Sequence, residues 1–137
     1  MVLMEVVSML GEHAVHATIA TADIGRARAF YEGTLGLAVE TEDAAGGILY
    51  RSGSSRLYLY PSAYAGHAQH TLASWVVDDL DSIVAELAGK GVSFEVYDLP
   101  DLKTDERGIA ELGTEKAAWF KDPDGNILSV SEEVTGG

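Results

Sequence analysis

The side chains with the most chemistry to offer in this 137-residue chain belong to its four histidines and six tyrosines. An imidazole titrates near neutral pH, so it can bind a metal or carry a proton, and a phenol can coordinate, stack or form hydrogen bonds. Side chains alternate along a strand, which places His16 on one face with Thr18 and Tyr58 on one face with Tyr60. This pattern predicts a site made of imidazole, phenol and hydroxyl groups.

Composition excludes several other kinds of chemistry. The chain has no cysteine, which rules out disulfides, thiolate nucleophiles, iron–sulfur clusters and cysteine-type zinc sites. It also lacks G-x-S-x-G, P-loop and G-x-G-x-x-G patterns in the required context. With 9 Lys and Arg against 22 Asp and Glu, the net charge is −13. An excess of negative charge disfavours nucleic acid and anionic membranes as partners.

Two similar segments, 56 residues apart, supply the elements that must position these side chains. Residues 14–21 and 70–77 contain many β-branched and aromatic residues and no glycine or proline, which predicts strands. Asp23 and Asp79 follow them, and aspartate is a preferred N-cap, so a helix is predicted to begin after each. The matching helix ends are marked by glycines, namely Gly33 and Gly36 in the first copy and Gly89 and Gly91 in the second.

Three strand-like runs follow each predicted helix, so the chain is interpreted as βαβββ twice over, an α+β fold. The segment D122-P-D-G-N126 predicts a tight turn between the last two strands. We expect one domain with an N-terminal extension at 1–12, a first module at 13–66 and a second module at 67–137. The runs lie near 37–42, 47–52 and 56–61 in the first module, and near 92–98, 116–121 and 126–132 in the second.

Three phrases in this layout resemble the vicinal oxygen chelate superfamily, which includes glyoxalase I, extradiol dioxygenases, fosfomycin-modifying enzymes and bleomycin-resistance proteins. The phrases are F30-Y-E-G-T-L-G-L37, V76-V-D-D-L80 and A118-W-F-K-D-P-D-G-N126, and the resemblance covers roughly residues 13 to 133. It implies two tandem modules whose mixed sheets form a cup, with the helices on the outer face.

The resemblance also indicates where metal-dependent relatives hold their ion. Each module of such relatives supplies two ligands, and the corresponding positions here are His16, Tyr58 (or Tyr60), Leu72 and Ser129. An alkyl side chain cannot bind a metal, and Ser129 stands where a glutamate is usual, so we expect no metal and no cofactor. In the alternative, His67 or His70 swings inward and a relocated metal is held by His16, His70 and Tyr58.

Strand alternation predicts which side chains line the cup and which pack under the helices. The predicted ligand-binding set mixes hydroxyl, phenol, imidazole and apolar groups, which suits a small aromatic or amphipathic ligand. Trp119 and Phe120 are adjacent, so only one of them faces the cup, and the alternation leaves open which. The predicted set is His16, Thr18, Tyr58, Tyr60, Leu72, Ser74, Trp119, Phe120 and Ser129.

We therefore expect a bleomycin-resistance-like protein that binds a small organic molecule in a metal-free cup. The alternative is a metal-dependent, glyoxalase-like lyase, isomerase or dioxygenase, and the sequence leaves open whether any reaction is catalysed. We further expect a cytoplasmic homodimer with no nucleic-acid or membrane partner. The long connection 98–115 is interpreted either as a lid over the cup or as a mobile acidic loop.

Overall fold

The first module folds into a four-stranded mixed sheet in the computed structural model, which describes residues 9–134. Its strands lie in the order β1-β4-β3-β2, and β1 runs parallel to β4 while the other pairs are antiparallel. The β-branched residues of β1 are typical of a strand with one face buried, and its burial alternates along Ala17–Thr21. The strands are β1 (Ala17–Thr21), β2 (Ala38–Glu42), β3 (Ile48–Ser52) and β4 (Ser55–Pro61).

The second module repeats this arrangement in the order β5-β10-β9-β8, again with one parallel pair, β5 with β10. A short hairpin of β6 and β7 lies between the helix and the last three strands. The strands are β5 (Thr71–Val76), β6 (Asp98–Leu99), β7 (Leu102–Lys103), β8 (Ile109–Glu111), β9 (Glu115–Lys121) and β10 (Ile127–Glu133).

One helix follows the first strand of each module, and an aspartate caps it as the sequence predicts. The Asp23 carboxylate accepts the Arg26 N–H before α1 (Ile24–Arg28), and Asp79 accepts the Ser82 N–H before α2 (Leu80–Gly89). A π-helical turn, Ala29–Thr34, continues α1. No helix of the described residues combines the length and apolar character needed to cross a membrane.

The two tandem βαβββ modules are thus confirmed, but the strand predicted at 92–98 is wrong in extent. Phe94 forms only an isolated bridge to Phe120, and the chain then leaves the sheet. Further along β9, the strand β8 pairs with the same edge. The edge of β9 is therefore shared between β8 and the short segment at Phe94. Residues 98–115 accordingly contain the β6–β7 hairpin and β8 rather than an unstructured loop.

A single hydrophobic core joins one face of each sheet to the two helices. The indole N–H of Trp75 donates to the hydroxyl of Ser52 at 2.9 Å, which links the second module to the first. The predicted alternation is confirmed, because alternate apolar strand residues, on the face opposite to the predicted ligand-binding set, lie in this core. Its strand residues include Ile19, Leu57, Leu59, Leu128 and Val130.

The D122-P-D-G-N126 turn fastens the second module to the first. The buried carboxylate of Asp122 accepts the Tyr31 hydroxyl at 2.6 Å and the Asn126 amide at 2.9 Å. The same amide donates to the carbonyl of Ala20 at 2.8 Å, and Asp124 accepts the hydroxyl of Thr21 at 2.6 Å. These bonds fix the end of β1 relative to the start of β10.

This turn makes stability depend on pH in the alkaline range. Burial, together with the negative charge of the neighbouring Asp122, raises the pKa of the Tyr31 phenol in the folded protein. In the unfolded chain a tyrosine ionises at about pH 10. Above that pH the unfolded chain releases a proton that the folded chain keeps, so the free energy of unfolding falls as pH rises.

We expect Tyr31→Phe to flatten this decline by about 1.4 kcal/mol per pH unit above about pH 10. The measurement is urea denaturation of both proteins across that range. Equal slopes for wild type and Tyr31→Phe would show that the Tyr31 phenol does not control alkaline stability.

Candidate functional site

The faces of the two sheets that point away from the core, here called the cup face, carry the predicted site residues in two groups. In the first module, Thr18 lies opposite Tyr58 in the β1–β4 pairing, and Ala20 lies opposite Tyr60. The two phenol rings are nearly parallel, with centroids 5.9 Å apart and an interplanar angle of 6°. His16 lies just before β1 and is exposed, as is Thr18.

The Tyr58 ring is held in place by the turn between β2 and β3. Its hydroxyl donates to the Asp43 carboxylate, which also accepts the backbone N–H groups of Ala45 and Gly47. The bond to Asp43 raises the pKa of the Tyr58 phenol. The hydroxyl proton is therefore committed to Asp43, and what Tyr58 offers a ligand is the face of its ring and an oxygen lone pair.

Gly47 leaves the space that this arrangement needs. A Cβ at this position would overlap the Tyr58 hydroxyl and would come within 2.6 Å of the Asp43 carboxylate. We expect Gly47→Ala to break the bond and to lower the free energy of unfolding by about 1–3 kcal/mol, as overpacking does elsewhere. Chemical denaturation measures this loss.

Gly33→Ala is the matched control, because a Cβ there meets nothing within 4 Å. It should leave stability unchanged or raise it slightly, since alanine restricts the unfolded chain. Equal free energies of unfolding for the two variants in chemical denaturation would contradict a steric role for Gly47.

In the second module, β10 brings together residues from three strands in one row. Ser129 lies opposite Ser74 on β5 and opposite Trp119 on β9. The hydroxyls of Ser74 and Ser129 are 2.6 Å apart, so they are bonded to each other. Ser129 is buried, Ser74 is exposed and Trp119 is half-buried. Two hydroxyls thus lie beside an indole ring.

The strand register answers which of the two adjacent aromatic residues faces the cup. Phe120 lies opposite Leu128 and is fully buried in the core, where its ring packs against Phe94 with centroids 5.6 Å apart. Trp119 therefore points to the cup face, and Phe120 does not belong to the site. Tyr97 meets Trp119 edge to face with centroids 5.9 Å apart.

The next row of the second sheet has a floor of small side chains. Ser131 lies opposite Val76 on β5 and opposite Ala117 on β9, and Ala117 lies opposite Ala110 on β8. The two alanines are buried, whereas Val76 is 68% exposed. Trp119, two residues along β9 from Ala117, places a large aromatic side chain beside this row of small ones.

The structure does not join the two groups of predicted residues to each other. Among residues 9–134, no hydrogen bond or aromatic contact links the tyrosine pair of the first module to the serine and tryptophan row of the second. An apolar cavity of about 280 Å³ lies instead on the core side, between the π-helical turn and α2. Of the predicted set, Phe120 alone lines this described cavity, together with Leu35, Leu37, Trp75, Ile83 and Leu87.

The positions that the resemblance assigns to metal ligands do not supply four donors. Leu72 lies at a bulge in the β5–β10 pairing and has no donor atom, and the Ser129 hydroxyl is bonded to Ser74. A phenol binds a metal after losing its proton, which the bond from Tyr58 to Asp43 opposes. These residues do not fit a four-ligand centre.

The histidines of the relocated site do not converge either. His16, His67 and His70 are all exposed, and the His70 ring nitrogen lies 3.3 Å from the carbonyl of the neighbouring Thr71. Within the described residues, no three histidine, aspartate or glutamate side chains are grouped closely enough to share an ion.

The predicted set lacks several cup-face residues, among them Asp43, Tyr97, Ala117 and Ser131. For Tyr97 a signal existed, because alternation from Val92 and Phe94, which face the core, puts residue 97 on the opposite side. Ser131 likewise shares the parity of Ser129. Asp43 precedes a glycine-containing turn, and nothing in the local sequence indicates that it binds a tyrosine 15 residues further on.

Comparison with known families and structures agrees with this architecture. The family model described as the Glyoxalase/Bleomycin resistance protein/Dioxygenase superfamily matches residues 13–130. No protein with a curated function is significantly similar to the chain in sequence.

Three solved structures illustrate the likeness of fold. A glyoxalase family protein from Enterococcus faecalis has a TM-score of 0.69 at 20% identity, covering 90% of this chain and 100% of its own. An antibiotic binding protein from a Streptomyces species has a TM-score of 0.62 at 19% identity, covering 88% and 95%. A fosfomycin resistance protein from Listeria monocytogenes has a TM-score of 0.66 at 10% identity, covering 89% and 93%. At these identities the likeness shows the fold alone.

Proposed function

The chain belongs to the glyoxalase/bleomycin resistance protein/dioxygenase superfamily, and from that premise we propose that it binds a small organic molecule on its cup face without a metal. The proposed role is similar to that of the Streptomyces neighbour, an antibiotic binding protein. The observation that carries it is the half-buried indole of Trp119 on the cup face, which lies beside a pair of bonded serine hydroxyls.

The surface around Trp119 has the properties of a ligand site rather than of a catalytic centre. Apolar walls supply most of the binding energy for a small molecule, and a few polar groups fix its orientation. The bonded hydroxyls of Ser74 and Ser129 can each donate or accept, so they can pair with a carbonyl or a hydroxyl of a ligand. Neither hydroxyl contacts a base that would activate it as a nucleophile within the described residues.

The chemistry of the former ligand positions supports binding without a metal. Structural and catalytic metal sites need deprotonated or neutral nitrogen, sulfur or oxygen donors in a fixed geometry. Leu72 offers only an alkyl group, the Ser129 hydroxyl is bonded to Ser74, and the proton of the Tyr58 phenol is held by Asp43. Positions of this chemistry favour an organic ligand over a metal ion.

A second copy of the chain is proposed to complete the site. Val76 is 68% exposed beside Ser131, and Ser74 and Thr18 are exposed too, so one chain leaves its cup face open. Burying such a face between two copies excludes water from a ligand and removes an exposed apolar patch. Sedimentation should therefore give twice the chain mass of 14.5 kDa, and a single-chain mass at all concentrations would contradict this arrangement.

The direct test is a screen of small aromatic compounds by NMR of the indole N–H groups. The chain has two tryptophans, and Trp119→Phe removes one signal, which assigns both. We expect compounds that bind to shift the Trp119 signal and to leave that of Trp75, which is bonded to Ser52 in the core. A chemically diverse set that shifts neither signal and does not raise the melting temperature would overturn the proposal.

The rival function, a metal-dependent lyase, isomerase or dioxygenase, makes a different prediction. It requires an ion near His16 and Tyr58, so adding Zn²⁺ or Ni²⁺ should broaden or shift signals of the first module. Under the binding proposal these ions leave the spectrum of the first module unchanged.

A further inference from the structure

The cavity between the π-helical turn and α2, here called the core-side cavity, lies on the side of the sheets opposite to the cup face. It has a volume of about 280 Å³, and the buried side chains of Phe120 and Val130 form its floor. Its walls come from both modules, and ligand pockets occur preferentially at such junctions. The wall residues are Leu35 and Leu37 of the first module and Trp75, Val77, Ile83 and Leu87 of the second.

The walls of the core-side cavity are apolar but remain in contact with water. All six wall side chains are only half-buried, although each packs against the hydrophobic core. Polar residues, namely Thr34, Glu86 and Lys90, lie around them. A concave apolar surface with a polar rim is typical of a binding site, whereas the lining of a packing defect would be buried. The core-side cavity is therefore open to a ligand from solvent.

The walls are also held in place before any ligand arrives. The N–H groups of Leu35 and Leu37 each donate to a carbonyl of the π-helical turn at 2.9 Å, and Gly36 between them has a φ of +76°. The indole of Trp75 is fixed by its bond to Ser52. Single π-helical turns are rare and occur frequently at functional sites. Walls that are already ordered lower the entropy cost of binding.

The size of the core-side cavity limits the size of its ligand. An apolar cavity of about 150 Å³ binds benzene, so about 280 Å³ accommodates about ten carbon atoms. Most of the lining is aliphatic, and the Trp75 N–H is already committed to Ser52. A polar group placed deep in this cavity would therefore lose its hydrogen bonds to water without replacement.

The charges at the mouth select against an ionic ligand. Glu86 and Lys90 are both exposed and lie 3.9 Å apart, so together they are neutral. The net charge of −13 further disfavours an anion such as a fatty acid. The hydroxyl of Thr34 is the uncharged polar group of the described lining that a ligand can meet at the mouth.

We propose that the core-side cavity binds an uncharged aliphatic molecule of about ten carbon atoms, with a single hydroxyl at the mouth beside Thr34. This site is independent of the function proposed for the cup face, because the two lie on opposite sides of the sheets. The two tryptophans report on them separately, since Trp75 lines the core-side cavity and Trp119 faces the cup.

A series of straight-chain alcohols tests the size of the ligand. Hexanol, octanol, decanol and dodecanol are titrated against the full chain while the two indole N–H signals are followed by NMR. The Trp75 signal should shift and the Trp119 signal should not. Affinity should rise about fourfold for each added methylene up to about decanol and then level off, since further carbons stay in water. A rise that continues to dodecanol would indicate nonspecific adsorption and would overturn the proposal.

Two further probes of the same length test the chemical class. Octane-1,8-diol must bury its second hydroxyl without a partner, so it should bind at least about tenfold more weakly than octanol. Octanoate should also bind more weakly than octanol, because Glu86 and the net charge oppose an anion. Binding of octanoate as tight as that of octanol would overturn the assignment to an uncharged ligand.

Variants that fill the core-side cavity locate the binding. Leu87→Phe adds volume to the wall on α2 and should weaken octanol binding by about tenfold or more. Leu99→Phe is the matched control, because Leu99 is 52% exposed in the β6–β7 hairpin, and it should leave the affinity unchanged. Ile83→Phe fills the same cavity one turn earlier, should Leu87→Phe fail to melt cooperatively. Wild-type affinity in both filling variants would contradict the proposal.

The outcomes separate this inference from the function proposed for the cup face. If the alcohols shift the Trp119 signal and not that of Trp75, the core-side site is overturned while the cup-face site remains. If aromatic compounds shift neither signal but octanol shifts that of Trp75, the cup-face proposal fails and this one stands. A Trp75 signal that moves when the protein alone is diluted would show that a second copy occupies the core-side cavity, which would also overturn the proposal.

Discussion

Asp122→Ala is expected to lower the free energy of unfolding by about 3–5 kcal/mol, the largest loss of stability for a single substitution considered for this chain. The Asp122 side chain accepts four hydrogen bonds, from the Tyr31 hydroxyl, the Asn126 amide and the backbone N–H groups of Asp124 and Asn126. Alanine leaves the buried donors unpaired, and each unpaired donor costs about 1–3 kcal/mol. The urea midpoint measures the loss, with the slope of the transition unchanged.

Two variants frame this result. Asp101→Ala changes an exposed aspartate in the β6–β7 turn and should alter the midpoint little. Asp122→Asn keeps one acceptor oxygen, so its urea midpoint should lie between those of Asp122→Ala and the wild type. A midpoint for Asp122→Ala that matches Asp101→Ala would mean that the turn does not fasten the two modules.

Trp119→Ala is expected to weaken binding of an aromatic compound that shifts the Trp119 signal by about thirtyfold, which corresponds to about 2 kcal/mol, a value common for a tryptophan at the centre of a binding site. The indole is a large apolar side chain on the cup face of the second module, where it also contacts the ring of Tyr97. Calorimetric titration of wild type and variant with the same compound gives the ratio.

Trp75→Phe is the matched control for the other tryptophan. Its indole bonds to Ser52 and packs against the core, so its replacement should lower stability and leave the affinity for the aromatic compound unchanged. Trp119→Ala should instead weaken ligand binding and change stability little, because Trp119 is half-buried on the cup face. A larger loss of affinity in Trp75→Phe than in Trp119→Ala would place the ligand on the core side, at the cavity beneath α2.

The elements and the two faces of each sheet could be predicted from local sequence because local rules govern them. Aspartate caps at Asp23 and Asp79 act within three residues, and alternation along a strand separates Ile19 or Leu128 from the cup face. The same rule predicted that only one of the neighbours Trp119 and Phe120 faces the cup. The choice of Trp119 over Phe120 needed the register to Leu128, which the local sequence does not contain.

The rest depended on contacts between residues that are distant in sequence. The bond from Tyr31 to Asp122 spans 91 positions, and the turn motif predicts its backbone but not its partner. The 92–98 run has the pattern of a strand, yet β8 occupies part of the edge it would have used. Local pattern separates the two faces of a strand, and tertiary pairing fixes which face meets the core and what each side chain contacts there.

The metal content of the protein purified without chelators tests the central claim most directly. Mass spectrometry of the elements should find zinc, nickel, iron and manganese together well below one ion per chain, and dialysis should remove what is found. About one equivalent of a tightly bound ion per chain, lost in His16→Ala, would contradict the account and restore a metal-dependent enzyme.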